Sequence, residues 1–296
     1  MADQTPASSQ SILRWREMSQ AQRDREYSPS SCLPDGDYRP FVAEYRRASD
    51  LAWTQLGDRS DAVITTVRYG RTSTHTVDVA VPAGTPAPPL LVYFHGGYWQ
   101  ELSKLESRFA AVDCIERGWA FATVDYTLAP SADLAAIVAE CGASLQAVRR
   151  EAASLGFDDS RVFLSGSSAG AHLAAMVAIE AEQPVRGAIL VSGVFELEPL
   201  IGTSINDALG LDSSTARHLS PLHRPLDRFP QALLVYGDNE TAEFKAQSHV
   251  FASRLDRADV IEIPGRNHFD VILDLATPGT VLGDAVAALM EPHADL

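Results

Sequence analysis

From Leu90 onward, two patterns of apolar residues alternate along the chain. Short continuous apolar runs, typical of strands buried on both faces, are separated by longer stretches with helical periodicity. This order favours right-handed βαβ crossovers and therefore a parallel sheet. The predicted strands are 90–94, 119–125, 161–165, 186–192, 231–236 and 259–263, and the predicted helices lie near 103–117, 132–154, 168–182, 241–256 and 270–290.

Before Leu90 the apolar pattern is different. Residues 63–69 and 74–81 alternate apolar and polar positions, with Val77, Val79 and Val81 on one face, which predicts a half-buried antiparallel pair of strands. Added to the six apolar runs, this pair predicts an α/β fold with a mostly parallel, twisted sheet of about eight strands flanked by helices.

Two regions depart from the strand and helix alternation. Residues 1–60 are polar and mixed, with short amphipathic segments around 12–18 and 41–56, and we interpret them as an N-terminal lid packed on a core domain of residues 61–296. In residues of about 194–230 the pattern breaks, and the stretch carries Gly202, Pro221, Pro225 and Pro230. We predict an irregular cap there, over the carboxyl ends of the strands, where open α/β sheets bind ligands.

Composition and charge narrow the kind of partner. The chain has 296 residues with 46% hydrophobic content, which suits one large α/β domain. Its formal net charge of −15 argues against nucleic acid or an anionic membrane as a partner, so we expect a small-molecule acyl substrate. A homodimer is left open.

The cysteines and the start of the chain bear on compartment and cofactors. Cys32, Cys114 and Cys141 form no C-x-x-C pair, and the first residues lack a basic start and an apolar core of the secretory type. We therefore expect reduced thiols and a cytoplasmic protein. Neither a cofactor nor a metal is expected, because no H-E-x-x-H or comparable cluster occurs.

Two motifs, each directly after an apolar run, indicate an acyl-transfer site. Residues 166–170 read G-S-S-A-G, and the two outer glycines leave room for a sharp strand-to-helix turn that exposes the hydroxyl of Ser168. Residues 95–99 read H-G-G-Y-W, and the backbone N–H groups of such a glycine loop can bind the oxyanion that forms when an acyl carbonyl is attacked. The predicted oxyanion donors are Gly96, Gly97 and Ala169.

A serine nucleophile needs a base and an acid, which in this type of fold follow it in the order carboxylate and then histidine. His268 comes after the last predicted strand and a Pro-Gly turn, and we predict that it is the base. Two carboxylates, Asp238 and Glu240, follow the strand at 231–236, and either could accept the imidazole N–H.

We also predict roles for four further residues in or next to the two motifs. His95 is expected to brace the glycine loop, and His172, one helical turn past Ser168, is expected to be structural. Tyr98 and Trp99 either stack on a flat aromatic substrate, and so bind it, or pack in the core.

The motifs H-G-G-Y-W and G-S-S-A-G-A-H-L-A-A-M, the segment D-Y-T-L-A-P at 125–130 and the closing N-H-F at 267–269 resemble the α/β-hydrolase kynurenine formamidases and their bacterial esterase-like relatives. The resemblance runs from about Tyr27 to the last helix. It implies the α/β-hydrolase fold, an oxyanion loop at 95–99 and a serine nucleophile at Ser168. It also favours Glu240 over Asp238 as the acid, with Glu where animal members carry Asp.

The activity that this resemblance implies is hydrolysis of N-formyl-L-kynurenine to L-kynurenine and formate. One departure is Ser167, which stands where a histidine commonly precedes the nucleophile. We expect a serine hydrolase that cleaves a small aryl formamide through an acyl-enzyme. The alternatives are a carboxylesterase for small aryl or alkyl esters and a non-catalytic, ligand-binding protein of the same fold.

Overall fold

The computed structural model describes residues 14–291, in which eight strands form one sheet in the order β1-β2-β4-β3-β5-β6-β7-β8. β2 pairs antiparallel with both β1 and β4, and every other pairing is parallel. The predicted mostly parallel sheet is therefore confirmed. The strands are β1 Ala62–Arg68, β2 Thr76–Pro82, β3 Leu90–Phe94, β4 Ala120–Val124, β5 Val162–Ser167, β6 Gly187–Val191, β7 Gln231–Asn239 and β8 Ala258–Asn267.

Helices connect these strands and cover both faces of the sheet. Among the described residues they are α1 Gln20–Glu26, α2 Arg39–Gly57, α3 Ala111–Glu116, α4 Leu134–Arg150, α5 Ala152–Leu155, α6 Ala169–Glu180, α7 Asn206–Leu209, α8 Ser213–Leu219, α9 Ala242–Ala252 and α10 Val281–Met290. Short 3₁₀ turns occur at Arg14–Glu17, Pro29–Cys32, Lys104–Glu106, Glu198–Leu200, Pro221–His223 and Val271–Asp274. Within 14–291, no helix combines the length and the apolar character needed to cross a bilayer.

Two predicted helices are shorter than expected. The segment near 103–117 is helical only in α3, after a 3₁₀ turn, and the segment near 270–290 divides into a 3₁₀ turn and α10. Residues 277–280 read T-P-G-T, and the proline and glycine interrupt the helix. The Thr280 hydroxyl then accepts a hydrogen bond from the Gly283 N–H at 3.1 Å and caps α10.

The central strands are buried on both faces, as their continuous apolar runs predicted. Side chains along each strand alternate between two core clusters, one on either side of the sheet. Leu91 and Phe163 belong to one cluster, and their neighbours Val92 and Leu164 belong to the other. This burial on two faces follows from helices covering both sides of a parallel sheet.

Strand β2 corrects one prediction. All seven of its residues are buried rather than half of them, because β2 lies between β1 and β4, and the half-exposed pattern belongs to β1 alone. Asp78 of β2 is consequently buried, where it pairs with Lys104 at 2.9 Å and with Arg108. A buried carboxylate is tolerated there because charged partners satisfy it.

Two segments of the described chain lie outside the sheet, residues 14–57 and residues 194–230. Within residues 14–57, which we call the N-terminal segment, α2 packs on β1 and α3, and α1 packs on α9. The hydroxyl of the fully buried Tyr27 donates to Glu243 at 3.0 Å. Residues 1–13 of the predicted lid, including the start of the amphipathic segment at 12–18, lie outside the described residues.

The residues of 194–230, which we call the cap segment, contain α7, α8 and two 3₁₀ turns. They are irregular, as predicted. The division into a lid and a core domain remains an interpretation.

His172 of α6 is fully buried. Its Nε2 donates to the carbonyl of Leu219 at 2.7 Å, and its ring lies edge-on to Trp99 with centroids 5.0 Å apart. Burial lowers the pKa of His172 to about 4, because the charged form is poorly solvated. Since protonation is easier in the unfolded chain, this group contributes stability above about pH 6.5 that is lost as the pH falls toward 4.

We expect H172Q to reduce the acid sensitivity of folding. Between pH 7 and pH 4.5 the wild-type free energy of unfolding should include a loss of about 2 kcal/mol from His172. Urea unfolding at both pH values should show that H172Q lacks this part of the loss. H218Q, which changes an exposed histidine of α8, is the matched control and should behave as wild type. An equal loss in H172Q and H218Q would contradict the assignment.

Candidate active site

Five parallel strands end at the same edge of the sheet, and the loops that follow them carry the site. β3 leads to Gly96, β5 to Ser168, β6 to Ser192, β7 to Glu240 and β8 to His268. Side chains that are far apart in sequence are therefore brought together by the order of the strands.

Ser168 stands in a strained turn between β5 and α6. Its φ of 56° lies in the left-handed region, which is uncommon for a residue with a side chain. A Cβ on Gly166 would lie 2.2 Å from the backbone of Gly170, and a Cβ on Gly170 would lie 2.0 Å from the carbonyl oxygen of Phe94. The two glycines of the motif therefore allow α6 to begin in contact with β3 and β5, as the nucleophile elbow requires.

His268 and Glu240 are hydrogen-bonded to each other and both are buried. The distance from His268 Nδ1 to Glu240 Oε2 is 2.8 Å. The other carboxylate oxygen, Oε1, accepts hydrogen bonds from the Gly237 N–H at 2.7 Å and from the Ser192 hydroxyl at 2.6 Å. With Nδ1 donating to the carboxylate, Nε2 of His268 is left as the proton acceptor of the ring.

The second candidate acid lies elsewhere. Asp238 is exposed, and its Oδ1 accepts a hydrogen bond from the Gly265 N–H at 2.9 Å. The structure therefore brings Glu240, and not Asp238, to His268.

Ser168 and His268 line one pocket, together with residues 95–98 of the glycine loop. No direct hydrogen bond joins the two side chains in the described structure, and such contacts often tighten only when substrate is bound. The pocket has a volume of about 390 Å³. Six aromatic residues also line it: Tyr38, Tyr45, Tyr93, Tyr98, Phe109 and Phe269.

The three N–H groups predicted to bind an oxyanion lie beside the nucleophile. Those of Gly96, Gly97 and Ala169 donate to no protein atom within residues 14–291. A Cβ on Gly96 would lie 2.8 Å from the Ser167 carbonyl oxygen and 3.4 Å from the Cβ of Ser168, so the loop touches the elbow. Unpaired donors at this position are available to a developing negative charge.

His95 holds this loop through contacts with Gly96 and Tyr126. Its Nδ1 is 2.9 Å from the Gly96 carbonyl oxygen and 3.1 Å from the Tyr126 hydroxyl, and its ring stacks on Tyr126 at 4.1 Å. Burial lowers the pKa of His95 to about 4, so the ring is neutral at pH 7. The structure therefore places His95 where a bracing residue was expected.

The side chains of the two aromatic residues of the loop, Tyr98 and Trp99, lie on different sides of it. Tyr98 lines the pocket, and its hydroxyl donates to the carbonyl oxygen of Tyr27. Trp99 is fully buried and packs against His172, away from the pocket. Of the two roles expected for Trp99, packing in the core matches its position in the structure. Both residues have positive φ, 50° and 60°, and this turn sends consecutive side chains to opposite sides of the loop.

Comparison with known proteins identifies relatives of this chain. Residues 77–196 match the family model BD-FAE. The chain is 32% identical to a kynurenine formamidase of Danio rerio, over 90% of this chain and 95% of that protein. It is 30% identical to the Salmo salar kynurenine formamidase, over 89% and 94% of the two chains.

The chain belongs to the kynurenine formamidase family. A solved structure from a Silicibacter species, provisionally named a thioesterase, superposes with a TM-score of 0.77 at 26% identity, covering 87% of this chain and 98% of that one. Membership of the family makes the protein an enzyme with the α/β-hydrolase fold, as the motifs predicted.

The family motifs did not reveal every residue of the site. Ser192, which holds Glu240, was missed, although its place directly after a buried strand at the same edge as Ser168 could have indicated it. The contribution of the N-terminal segment was also missed in detail. Ser28–Ser30, Tyr38 and Val42 form part of the pocket wall, and no motif marks them.

We expect E240Q to lower kcat by about 10²- to 10⁴-fold, because the amide neither stabilises the imidazolium nor fixes the tautomer of His268. The measurement is steady-state hydrolysis of 4-nitrophenyl acetate, with thermal unfolding to show that the variant is folded.

D238N is the matched control, since it alters the neighbouring carboxylate that contacts Gly265 instead. It should remain within about threefold of wild type, as a surface change away from the reacting atoms. A large loss in D238N with little loss in E240Q would reverse the choice of acid.

Proposed function

We propose that this enzyme is a serine hydrolase that cleaves a small aryl formamide of the N-formylkynurenine type. The observation that carries the proposal is the 32% identity to a kynurenine formamidase across nearly the whole of both chains. The contacts around Ser168, His268 and Glu240 support the same chemistry.

The reaction would begin with attack of the Ser168 hydroxyl oxygen on the formyl carbon. His268 takes the hydroxyl proton through Nε2, and Glu240 stabilises the imidazolium through the 2.8 Å contact to Nδ1. The tetrahedral oxyanion is bound by the N–H groups of Gly96, Gly97 and Ala169, and each such donor contributes about 3 kcal/mol to the barrier reduction.

Collapse of that intermediate breaks the C–N bond. His268 returns the proton to the leaving arylamine, and the formyl group remains as an ester on Ser168. A water molecule, deprotonated by the same histidine, then attacks the ester and releases formate. The second half repeats the first with water in place of the serine hydroxyl, so one base and one set of donors serve both steps.

The pocket supports an aromatic leaving group. Tyr98 stands beside the oxyanion donors, and Phe269 directly follows the proposed base. Flat apolar faces bury an aryl ring favourably and offer stacking geometry. The enclosing walls from the N-terminal segment and from Ser204 and Ile205 of the cap segment limit the size of the ligand.

A carboxylesterase for small aryl or alkyl esters is the second candidate. The same nucleophile, base and donors act on esters, and the Silicibacter structure provisionally named a thioesterase supports this alternative. Three expectations remain predictions for either candidate. They are a small acyl substrate, the absence of nucleic acid or membrane partners, and a cytoplasmic location.

We expect kcat/KM for N-formylkynurenine to exceed that for 4-nitrophenyl butyrate, because a formyl-specific site is tight around the carbonyl and an esterase needs a deeper acyl pocket. Parallel assays with 4-nitrophenyl acetate and butyrate make the comparison. A preference of about tenfold for the butyrate would overturn the formamidase proposal in favour of the esterase.

S168A is the control for the mechanism. It should abolish turnover of all three substrates and labelling by a fluorophosphonate probe, measured by intact mass. Turnover that survives in S168A would remove the serine mechanism for both candidates.

A further inference from the structure

The wall of the catalytic pocket carries an unbalanced charge. The described residues that line this pocket include no lysine or arginine. They include two glutamates, Glu101 and Glu106. A substrate entering this pocket therefore meets carboxylates and no permanent positive charge.

Basic residues close by in sequence are already paired. Lys104 and Arg108 both contact the buried carboxylate of Asp78. Arg46 lies 3.4 Å from Glu106 and so offsets that carboxylate. Arg39, which follows Tyr38, pairs with Asp37 at 2.7 Å. Each of these four basic residues therefore has a carboxylate partner, and none of them lines the pocket.

The histidines of the pocket add no permanent charge. The pKa of His95 is lowered to about 4 by burial, so this ring is neutral at pH 7. His268 is hydrogen-bonded to the carboxylate of Glu240 at 2.8 Å, so a negative group lies directly against this ring. The resting pocket is therefore negative.

Glu101 is the carboxylate that this pairing does not neutralise. The Tyr38 hydroxyl lies 2.9 Å and 3.1 Å from its two oxygens and donates to the carboxylate. Among the described residues, Glu101 has no ion-pair partner within 4 Å. Tyr38 in turn stacks on Phe269 with ring centroids 5.7 Å apart, which places the charge beside the aromatic wall that begins next to His268.

We propose that Glu101, held by Tyr38, determines specificity by selecting aryl substrates that carry a positively charged amine and lack a carboxylate. The proposal rests on the proposed function, and within the aryl formamides it places compounds with an ammonium alone ahead of N-formylkynurenine. A carboxylate on the substrate would be repelled by Glu101, whereas an ammonium would be attracted by it and by the faces of Tyr38 and Phe269. The net charge of −15 acts in the same direction at longer range.

N-formylkynurenine carries both an ammonium and a carboxylate on one carbon. Its decarboxylated analogue, N-formylkynuramine, keeps the formamide, the ring and the ammonium. 2-Formamidoacetophenone keeps only the formamide and the ring. These three compounds vary the charge while the bond that breaks stays the same.

For the wild-type enzyme we expect kcat/KM for N-formylkynuramine to exceed that for N-formylkynurenine by about tenfold. E101Q should lower the value for the cationic substrate about fivefold, mainly through KM, and leave the neutral substrate unchanged. E101K should reverse the order and favour N-formylkynurenine. The preference of the wild type should weaken in high salt, because Glu101 is exposed.

E182Q is the matched control, because it removes an exposed carboxylate distant from this pocket. It should keep the wild-type order of the three substrates. Y38F should shift the preference in the same direction as E101Q but less, since only the hydroxyl that holds the carboxylate is lost.

A second series of substrates varies the charge in acetate esters. O-acetyltyramine is the cation, phenyl acetate is the neutral compound and 4-acetoxyphenylacetate is the anion. If the formamides are inert while the esters are cleaved with the cation preferred, the formamidase proposal fails and the specificity proposal stands. The specificity proposal is overturned if, in the series that is cleaved, kcat/KM for the carboxylate-bearing compound equals or exceeds kcat/KM for the cation and E101Q does not change that ratio. Loss of all turnover in the wild type would overturn both.

Discussion

Helix α6 begins in direct backbone contact with the end of strand β3, and the rest of the site depends on that contact. It exists because Gly170 has no side chain, since a Cβ there would lie 2.0 Å from the Phe94 carbonyl oxygen. The glycine loop follows Phe94 at once, so the same contact sets Gly96 against Ser167 and Ser168. Nucleophile and predicted oxyanion donors are thus positioned by backbone packing, which is stiffer than any arrangement of side chains.

The carboxylates of the molecule divide according to burial and partner. Asp78 pairs with two bases, and Glu240 receives donors from Ser192, Gly237 and His268. Each is buried and each is satisfied, as the cost of an isolated buried charge demands. The carboxylate of Glu101 is exposed, and within residues 14–291 it accepts hydrogen bonds from Tyr38 alone, so its charge is not offset by a basic partner there. Carboxylates therefore occur here in three settings, as a buried ion pair in the sheet at Asp78, as the partner of His268 at Glu240, and as an exposed group on the pocket wall at Glu101.

Much of the fold and of the site could be predicted from the sequence, because local patterns of residues encode them. Continuous apolar runs indicated the buried strands, and glycine spacing indicated the turn at Ser168. What the sequence could not supply depends on contacts between distant segments. The burial of Trp99 results from two left-handed residues in succession, the burial of β2 from its neighbours, and the pairing of Tyr38 with Glu101 from docking of the N-terminal segment.

The bond from Tyr98 to the carbonyl of Tyr27 ties the glycine loop to the N-terminal segment. That segment supplies much of the pocket wall and none of the residues placed at the reacting atoms. The pocket wall is consequently assembled from stretches far apart in the chain, whereas the residues placed at the reacting atoms all follow strands of the sheet. Because the N-terminal segment contributes wall residues and none of the residues placed at the reacting atoms, it is one stretch in which hydrolases of this architecture can diverge in the compounds that they accept.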